Sequence, residues 1–288
     1  MNRDILSLLE ERMPSFSKGQ RRIAAVLTEA YDKAAFMTAS ALGEKAGVSE
    51  STVVRFAAEL GFDGYPQMQK AMQDMVLNRL TSAQRLGVAS QRMGDRDVVS
   101  MVLQADGEKL RQTEQTLDRN SFAQAVESLL AARRIYVIGI RSAAAPAAFL
   151  GYYLNYMFDN VHQITTSGAS ELFEKLVGVT ERDAVIAFSF PRYSNSTIKG
   201  AAYCRSVGAT VIGVTDSQLS PLGQCCDYVL VAKSDMASFV DSLVAPMSVV
   251  NALIVALAQR REATLSENLN KLEAVWSEYQ VYDKQVDL

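Results

Sequence analysis

Residues 39–58 read Ala-Ser-Ala-Leu-Gly-Glu-Lys-Ala-Gly-Val-Ser-Glu-Ser-Thr-Val-Val-Arg-Phe-Ala-Ala. The spacing of the apolar residues predicts two short helices, the first ending at a turn around Gly47 and the second beginning at a Ser49 cap. Gly43 supplies the small residue that two closely crossing helices need, and Gly47 tolerates the positive φ of the turn between them. The stretch therefore predicts a helix-turn-helix, and with it a DNA-binding domain.

The second of these helices leaves a short polar face outside once its apolar residues, Val48, Val53 and Phe56, are turned inward. That face lies in the amino-terminal half of the helix, which is the part of a recognition helix that enters the major groove. Arg55 is suited to bidentate reading of guanine, worth about 1–3 kcal/mol of discrimination. The predicted DNA contacts are Ser49, Glu50, Ser51, Thr52 and Arg55, with Lys45 and Lys70 as phosphate contacts.

An ordinary helical hairpin with a solvated polar face is the alternative interpretation. Residues 1–80 contain ten Lys or Arg and ten Asp or Glu. This neutral balance favours the hairpin, because a nucleic-acid surface is usually basic. Any basic surface on this part of the chain must therefore be local.

Residues 1–80 are helical in pattern throughout, and the pattern weakens over residues 81–96 into Gly, Ser, Gln and alternating charges. We interpret the weak stretch as a connection between two modules. The predicted organisation is a helix-turn-helix domain at 1–80, a linker and connecting helix at 81–119, a ligand-binding domain at 120–262 and a helical extension at 263–288.

Short, β-branched, almost wholly apolar runs occur in the second half of the chain, at residues 134–139, 183–189, 210–215 and 227–232. Such runs alternating with helices are typical of a parallel sheet covered on both faces. The predicted fold is an all-α helix-turn-helix domain followed by a doubly wound α/β domain. Ligands of such sheets bind beyond the carboxyl ends of the strands, which here points to the segments after Ile138, Phe188 and Val214.

The segment 46–56, followed by Leu-Gly-Phe-Asp-Gly-Tyr at 60–65, closely resembles the amino-terminal domain of the RpiR/MurR family of bacterial sugar-responsive transcription regulators. The resemblance extends over residues 15–77. In that family a sugar isomerase (SIS) domain follows, and residues 120–260 resemble one. The resemblance implies a regulator that binds an operator duplex and responds to a small anionic sugar or sugar phosphate.

SIS domains resemble one another in a Gly-x-Gly-x-Ser turn and a Ser-x-Ser-Gly-x-Thr loop, in which amides and hydroxyls can surround a phosphate. This chain departs from both motifs, since Arg141 stands at the second glycine of the turn and Arg192 at the glycine of the loop. We expect the two guanidinium groups to hold one anionic group through forked hydrogen bonds. The predicted ligand contacts are Arg141, Ser142, Ser189, Arg192, Tyr193, Ser194 and Glu171.

Other roles for these residues remain open at this point. Each arginine could pair with a protein carboxylate such as Glu171, or lie in solvent. Tyr193 could stack on a sugar ring or form part of a surface lid or interface. In the segment 167–171, Ser167 or Ser170 could cap the helix that follows rather than contact a ligand.

A sugar-phosphate isomerase is the alternative function, because the same fold carries that chemistry and fold alone does not decide function. Isomerisation needs a general base, for which Glu171 and His162 are available, although neither lies in a recognisable catalytic motif. A dedicated enzyme would have little use for a helix-turn-helix, so we favour a regulator over an enzyme. A pure interaction module is a third interpretation, against which the paired arginines argue.

The composition limits the remaining possibilities. Hydrophobic residues make up 49% of the 288 residues, the formal net charge is −3, and no apolar run reaches the roughly 20 residues of a membrane span. The amino terminus resembles no export signal, so we expect a cytoplasmic protein without a membrane partner. His162 is the single histidine, and the three cysteines lack ligand spacing, so we expect reduced thiols, no metal and no cofactor. We expect a homodimer or homotetramer.

Overall fold

The computed structural model describes residues 5–79, 81–93, 97–166, 168–234 and 238–282. Its contacts divide the chain into two compact units, Met1–Gly94 and Asp95–Leu288. Among the described residues, no helix is both long enough and apolar enough to cross a bilayer. The domain bounds given above stay predictions.

The first unit consists of helices, as predicted. They are α1 (Ile5–Arg12), α2 (Lys18–Glu29), α3 (Tyr31–Ala34), α4 (Ala39–Ala46), α5 (Glu50–Glu59), α6 (Tyr65–Arg79) and α7 (Ser82–Met93). Hydroxyl side chains begin three of the helices: Ser17 caps α2, Thr38 caps α4 and Ser49 caps α5, each accepting a backbone N–H from the first turn. One hydrophobic core, which includes Ile23, Leu42 and Phe56, packs α1 to α6 together.

The weakened pattern over residues 81–96 does not mark the end of the helices, because α7 occupies Ser82–Met93. The missed signal is a capping box. The Thr81 hydroxyl accepts the N–H of Gln84 at 3.2 Å, and the Gln84 side chain accepts the N–H of Thr81 at 2.9 Å. Two orphan donors at the helix start are thereby satisfied, which outweighs the cost of Gly87 in the helix interior.

The second unit is a doubly wound α/β fold, as predicted. Its helices are α8 (Val98–Thr116), α9 (Arg119–Ala131), α10 (Ala144–Leu154), α11 (Ala169–Leu176), α12 (Asn195–Ser206), α13 (Val244–Arg260) and α14 (Glu262–Glu278). Its strands are β1 (Ile135–Gly139), β2 (Val161–Ile164), β3 (Ala184–Phe188), β4 (Thr210–Thr215) and β5 (Tyr228–Val231). The strands are all parallel, in the order β2-β1-β3-β4-β5.

Apolar side chains cover both faces of this sheet. On one face Val137 and Ile186 pack with side chains of α9, α10 and α13, and on the other face Ile138 and Val185 pack with side chains of α11 and α12. Because both faces are buried, β1 and β3 are buried at all five of their positions. These two strands can therefore present polar groups to solvent only beyond their ends.

The cysteines are free thiols, as predicted. Cys204 and Cys226 are buried and Cys225 is half-buried. Burial raises the pKa of Cys204 to about 12, so this thiol stays protonated at neutral pH. It therefore serves as a small apolar side chain in the core.

Candidate nucleic-acid interface and candidate anion site

Two glycines give the α4–α5 hairpin its shape, and both roles agree with the prediction. A Cβ at Gly43 would lie 2.9 Å from the Val48 carbonyl oxygen and 3.3 Å from the Glu50 nitrogen, so only glycine lets the helices approach this closely. Gly47 has φ +63° and ends α4 in the left-handed region. The two helices are thereby fixed in contact.

The polar face of α5 lies on the surface of the first unit. Ser51 and Arg55 are exposed, while Val53 and Phe56 are fully buried beneath them. Arg55 Nε donates to the Ser51 carbonyl at 3.2 Å, which holds the guanidinium along the helix. The face is therefore accessible to a duplex, as the prediction requires.

Hydroxyl groups surround the first turn of α5. The Ser49 Oγ lies 2.9 Å from Ser51 Oγ and 2.8 Å from Thr52 Oγ1, and it accepts the Thr52 N–H at 3.3 Å. Ser49 and Glu50 are exposed at this turn. The cluster places short donors and acceptors where a recognition helix meets base edges or phosphates.

The two lysines predicted to contact phosphate are exposed, Lys45 on α4 and Lys70 on α6. Lys45 lies in the last turn of α4, two residues before the turn at Gly47. The roles of both lysines, and of the residues of α5, stay predictions.

The second group of predicted residues lies beyond the carboxyl ends of β1 and β3, which are neighbours in the sheet with Gly139 opposite Phe188. Arg141 follows two residues after β1 ends, and Arg192 follows four residues after β3 ends. The structure therefore brings the two arginines to one edge of the sheet, and both side chains are exposed there.

Both arginines occupy the left-handed region of the backbone, with φ 60° at Arg141 and φ 63° at Arg192. A non-glycine residue pays about 1–3 kcal/mol for a sparsely populated conformation, and such residues cluster at ligand sites. These are the two positions where the SIS motifs have glycine. The loops thus keep a backbone shape that suits glycine while each carries a guanidinium group.

The turn after β1 closes tightly onto the helix that follows. A Cβ at Gly139 would lie 2.3 Å from the Ala143 carbonyl oxygen and 2.5 Å from the Ala147 Cβ, which excludes every other residue there. Residues Arg141–Ala143 form a single 3-10 turn that leads into α10, with Ser142 exposed. The turn therefore presents Arg141 and Ser142 at the start of a helix, where its dipole favours an anion.

Internal hydrogen bonds order the loop after β3. The Ser189 hydroxyl accepts the Ser194 N–H at 3.1 Å, and the Ser194 hydroxyl accepts the Thr197 N–H at 3.3 Å to cap α12. A hydroxyl that accepts in this way still has its own hydrogen to donate. Both serines can therefore shape the loop and donate to an anion, although Ser189 is 2% exposed.

The sequence prediction missed an acidic residue at this edge. Tyr193 Oη donates to Asp216, at 3.0 and 3.1 Å from its two carboxylate oxygens, and Asp216 directly follows β4. Lys233, just beyond β5, donates to the Asp216 carbonyl at 3.5 Å. The segment after Val214 was identified as part of the ligand edge, but only the structure pairs Asp216 with Tyr193.

Glu171 is bonded by neighbours on its own side of the sheet. It accepts from the Lys175 ammonium at 2.8 Å and from the Thr166 hydroxyl. The bond from Lys175, and then the one from Thr166, lower the pKa of Glu171, which makes it a weaker general base. Its place in the ligand site stays a prediction.

The capping role suggested for Ser170 is wrong. The cap of α11 is Gly168, which lacks a side chain, and Ser170 lies inside the first turn with its hydroxyl on Glu174 at 2.9 Å. The Gly168 N–H donates to the Thr166 hydroxyl at 3.3 Å. Ser167 lies outside the described residues.

His162 is in the middle of β2, where its ring stacks on Tyr136 with centroids 4.9 Å apart. A strand residue at this register lies short of the carboxyl ends where Arg141 and Arg192 are found. Of the two candidate general bases for an isomerase, Glu171 therefore has a lowered pKa, and the stacked ring of His162 lies away from that edge.

Comparison with known proteins identifies relatives of both units. A family profile described as a helix-turn-helix domain of the rpiR family matches residues 3–78, and a SIS domain profile matches residues 128–256. The HTH-type transcriptional regulator HexR of Pseudomonas aeruginosa is 21% identical over 277 residues, 94% of this chain and 95% of that protein. HexR of Escherichia coli K12 is 23% identical over 98% of this chain and 97% of that protein.

Two solved structures resemble the chain. The sugar isomerase domain of an RpiR transcription factor from Sphaerobacter thermophilus is 30% identical, with a TM-score of 0.58 over 60% of this chain and 96% of that one. The Vibrio vulnificus NanR protein, complexed with ManNAc-6P, is 22% identical, with a TM-score of 0.59 over 95% of this chain and 98% of that one. The second likeness concerns the fold of the whole chain.

Proposed function

This chain belongs to the RpiR family of transcriptional regulators, with a helix-turn-helix unit and a SIS domain, and from that premise we propose how it works. We propose that α5 binds an operator duplex and that the carboxyl edge of the sheet binds an anionic sugar or sugar phosphate. Binding of that metabolite then alters the affinity for the operator.

The observation that carries the anion site is the pair of arginines with positive φ. Each occupies a strained backbone position beyond one of two adjacent strands, β1 and β3. Residues in such conformations cluster at ligand sites, and two guanidinium forks on adjacent strand ends suit one phosphate or carboxylate. Ser142, Ser189 and Ser194 add hydroxyl donors to the same edge.

A sugar is the favoured class of anion because the same edge carries groups for neutral hydroxyls. The Asp216 carboxylate can accept hydrogen bonds from sugar hydroxyls, and the Tyr193 ring offers an apolar face for a sugar ring. The ManNAc-6P in the Vibrio vulnificus NanR complex is a sugar phosphate, which supports a ligand of the same chemical class for the present chain. Glu171 completes the proposed set of ligand contacts.

Thermal-shift screening with sugar phosphates and sugar acids tests the sensor, followed by calorimetry on any compound that stabilises the protein. Arg192→Ala should abolish binding of that compound and leave DNA affinity without metabolite unchanged. Arg182→Ala is the matched control, since Arg182 is an exposed arginine that precedes the amino end of β3. An unchanged dissociation constant in Arg192→Ala, or measurable turnover of a sugar phosphate, would contradict the proposal.

The DNA contacts are proposed for Ser49, Glu50, Ser51, Thr52 and Arg55 at base edges, with Lys45 and Lys70 on phosphates. Arg55→Ala should abolish sequence preference, because a bidentate arginine–guanine contact contributes about 1–3 kcal/mol of discrimination. The measurement is binding to an operator selected from random duplexes, compared with a scrambled duplex. Equal preference before and after the substitution would refute the assignment, and metabolite binding should stay intact.

A physical route connects the anion site to α8, the first helix of the second unit along the chain. The Lys233 N–H donates to the Thr113 hydroxyl at 2.9 Å, and the Ser242 hydroxyl donates to Asp106 at 2.6 Å. The segment after β5 is therefore tied to α8 at two points, and Lys233 also contacts the segment after β4. We infer that ordering of the ligand edge moves α8 and, through the chain, the helix-turn-helix.

A homodimer or homotetramer is part of the proposal. Paired helix-turn-helix units match half-sites about one helical turn, roughly 34–36 Å, apart, so a small rotation changes operator binding. Coupling of about 1–3 kcal/mol corresponds to an affinity change of about 5–150-fold. Analytical ultracentrifugation tests the oligomeric state, and a monomer bound to a single half-site would contradict it.

A further inference from the structure

The amino-terminal turn of α2 packs against the start of α5. A Cβ at Gly19 would lie 3.5 Å from the Val48 Cγ1 and 4.0 Å from the Thr52 Cγ2, so these two apolar groups already approach the glycine. The side chains that α2 carries beside Gly19 therefore lie next to the recognition helix rather than on a remote surface.

One of those side chains, Arg22, reaches the turn of the helix-turn-helix. A Cβ at Gly47 would lie 3.1 Å from Arg22 Nη1 and 3.8 Å from its Cζ, so the guanidinium lies directly against the Gly47 backbone. Gly47 precedes the Ser49 cap of α5 by two residues, a separation of at most about 7 Å. The charged group is thus positioned beside the end of α5 that is expected to enter the groove.

Arg22 does not stabilise α2 through its helical neighbour Lys18. Arg22 and Lys18 are both exposed and stand four residues apart on α2, where like charges are neighbours and repel. Lys45 adds a third exposed cation in the last turn of α4, close in sequence to the same glycine. Arg22 therefore lies at the turn, and Lys18 and Lys45 are further exposed cations on α2 and α4, within residues 1–80, whose overall charge is balanced.

We propose that Arg22 binds a phosphate on the duplex backbone at the edge of the groove that α5 enters. The major groove is about 12 Å wide, so a helix centred in it has a phosphate row about 6 Å to either side. The Arg22 guanidinium lies against Gly47, three residues before the first residue of α5, so it flanks that end of the helix, and its fork matches phosphate geometry. This contact rests on the proposed operator binding and carries no sequence information, because phosphates are the same in every duplex.

The neighbouring residue provides a matched control. Arg21 is also exposed and carries the same charge, but its Nη2 donates to the Pro14 carbonyl at 3.2 Å, on the side of α2 that faces the segment after α1. Arg21→Ala and Arg22→Ala therefore change the net charge equally. Only Arg22→Ala removes a cation from the turn before α5.

The experiment measures binding of the full chain to a fluorescent duplex of arbitrary sequence between about 50 and 200 mM salt. Each phosphate contact contributes about 0.9 to the slope of log affinity against log salt concentration. Arg22→Ala should lower the slope by about 0.9 per DNA-binding unit, so for each bound unit the affinity lost relative to the unchanged chain should shrink about 3.5-fold between 50 and 200 mM salt. Arg21→Ala should keep the slope of the unchanged chain, and Arg22→Lys should largely keep it as well.

Two results would overturn the proposal, and they are distinguishable. Equal slopes in Arg21→Ala and Arg22→Ala would show that only net charge matters, and Arg22 would then have no specific contact. Absence of salt-dependent binding by the unchanged chain to any duplex would refute the DNA-binding function and this contact together. Equal melting temperatures of the two variants exclude misfolding as the cause of a difference.

Discussion

Gly43→Ala tests the close approach on which the helix-turn-helix depends. The added Cβ would lie 2.9 Å from the Val48 carbonyl oxygen, 3.3 Å from the Glu50 nitrogen and 3.4 Å from the Ser49 carbonyl carbon. A carbon and a carbonyl oxygen normally come no closer than about 3.3 Å. All three atoms are backbone, so no side chain can rotate away and the turn itself must move.

The magnitude follows from two opposing effects. Alanine is favoured over glycine in a helix interior by about 1 kcal/mol. Insertion of a methyl group into a packed contact costs about 1–3 kcal/mol. Gly43→Ala should therefore lower the free energy of unfolding of the first unit by about 0–2 kcal/mol, and it should also weaken duplex binding because α5 is displaced from α4.

Gly87→Ala is the matched control, because Gly87 lies inside α7 of the same unit and a Cβ there meets no atom within 4 Å. This variant gains the helix preference without the steric cost, so the two variants should differ by about 1–3 kcal/mol. The measurement is thermal unfolding followed by far-UV circular dichroism, where 1 kcal/mol corresponds to about 4–8 °C for a domain of this size. If Gly43→Ala proves as stable as Gly87→Ala, the close-approach argument is refuted.

Two further predictions concern the second unit. Burial alone would raise the pKa of Asp183, but hydrogen bonds from Arg133 and Thr180 outweigh burial and lower this pKa. The ionised carboxylate therefore stabilises the fold fully above the pKa that Asp183 has in the unfolded chain. This stabilisation is lost as the pH falls through the lower pKa of the folded chain. Asp183→Asn should therefore lower the free energy of unfolding by about 1.5–3 kcal/mol at neutral pH. In urea titrations, the difference between the unchanged chain and this variant should shrink as the pH falls. A difference that does not change with pH would contradict the reasoning. Thr113→Val removes the hydroxyl that accepts the backbone N–H of Lys233, in the segment after β5. The metabolite-induced change in operator affinity should fall about fivefold, while the affinity for the metabolite and the affinity for the operator without metabolite stay the same. Thr116→Val is its control, because that hydroxyl donates only within α8, and equal coupling in both variants would exclude the route.

The strained arginines show how a family motif can be kept in backbone shape while its chemistry changes. Arg141 and Arg192 stand where the SIS motifs have glycine, and both adopt φ near +60°. Each loop therefore carries a conformational cost that glycine would avoid. Substitution of either arginine by glycine removes the strain and the charge together, whereas substitution by alanine removes the charge and keeps the strain, so comparison of the two variants separates the effects.

The sequence by itself determined every feature that depends on neighbours along the chain. The helix-turn-helix is predicted from three local requirements: a small residue where the helices cross (Gly43), a residue that tolerates positive φ in the turn (Gly47) and a helix cap (Ser49). The apolar runs predicted the parallel sheet, since a strand buried on both faces needs apolar residues at successive positions. The capping box of Thr81 and Gln84 is also local, so the sequence contains the signal for α7 as well.

Only the tertiary structure decided which side chains meet across the fold. The contact of Arg22 with the Gly47 turn and the bond from Tyr193 to Asp216 join residues far apart in sequence. Such contacts depend on how helices and strands pack, which the periodicity of one segment does not specify. The φ of Arg192 likewise follows from a loop closed by bonds between its own ends, so the chain's conformation there overrides the local preference of arginine.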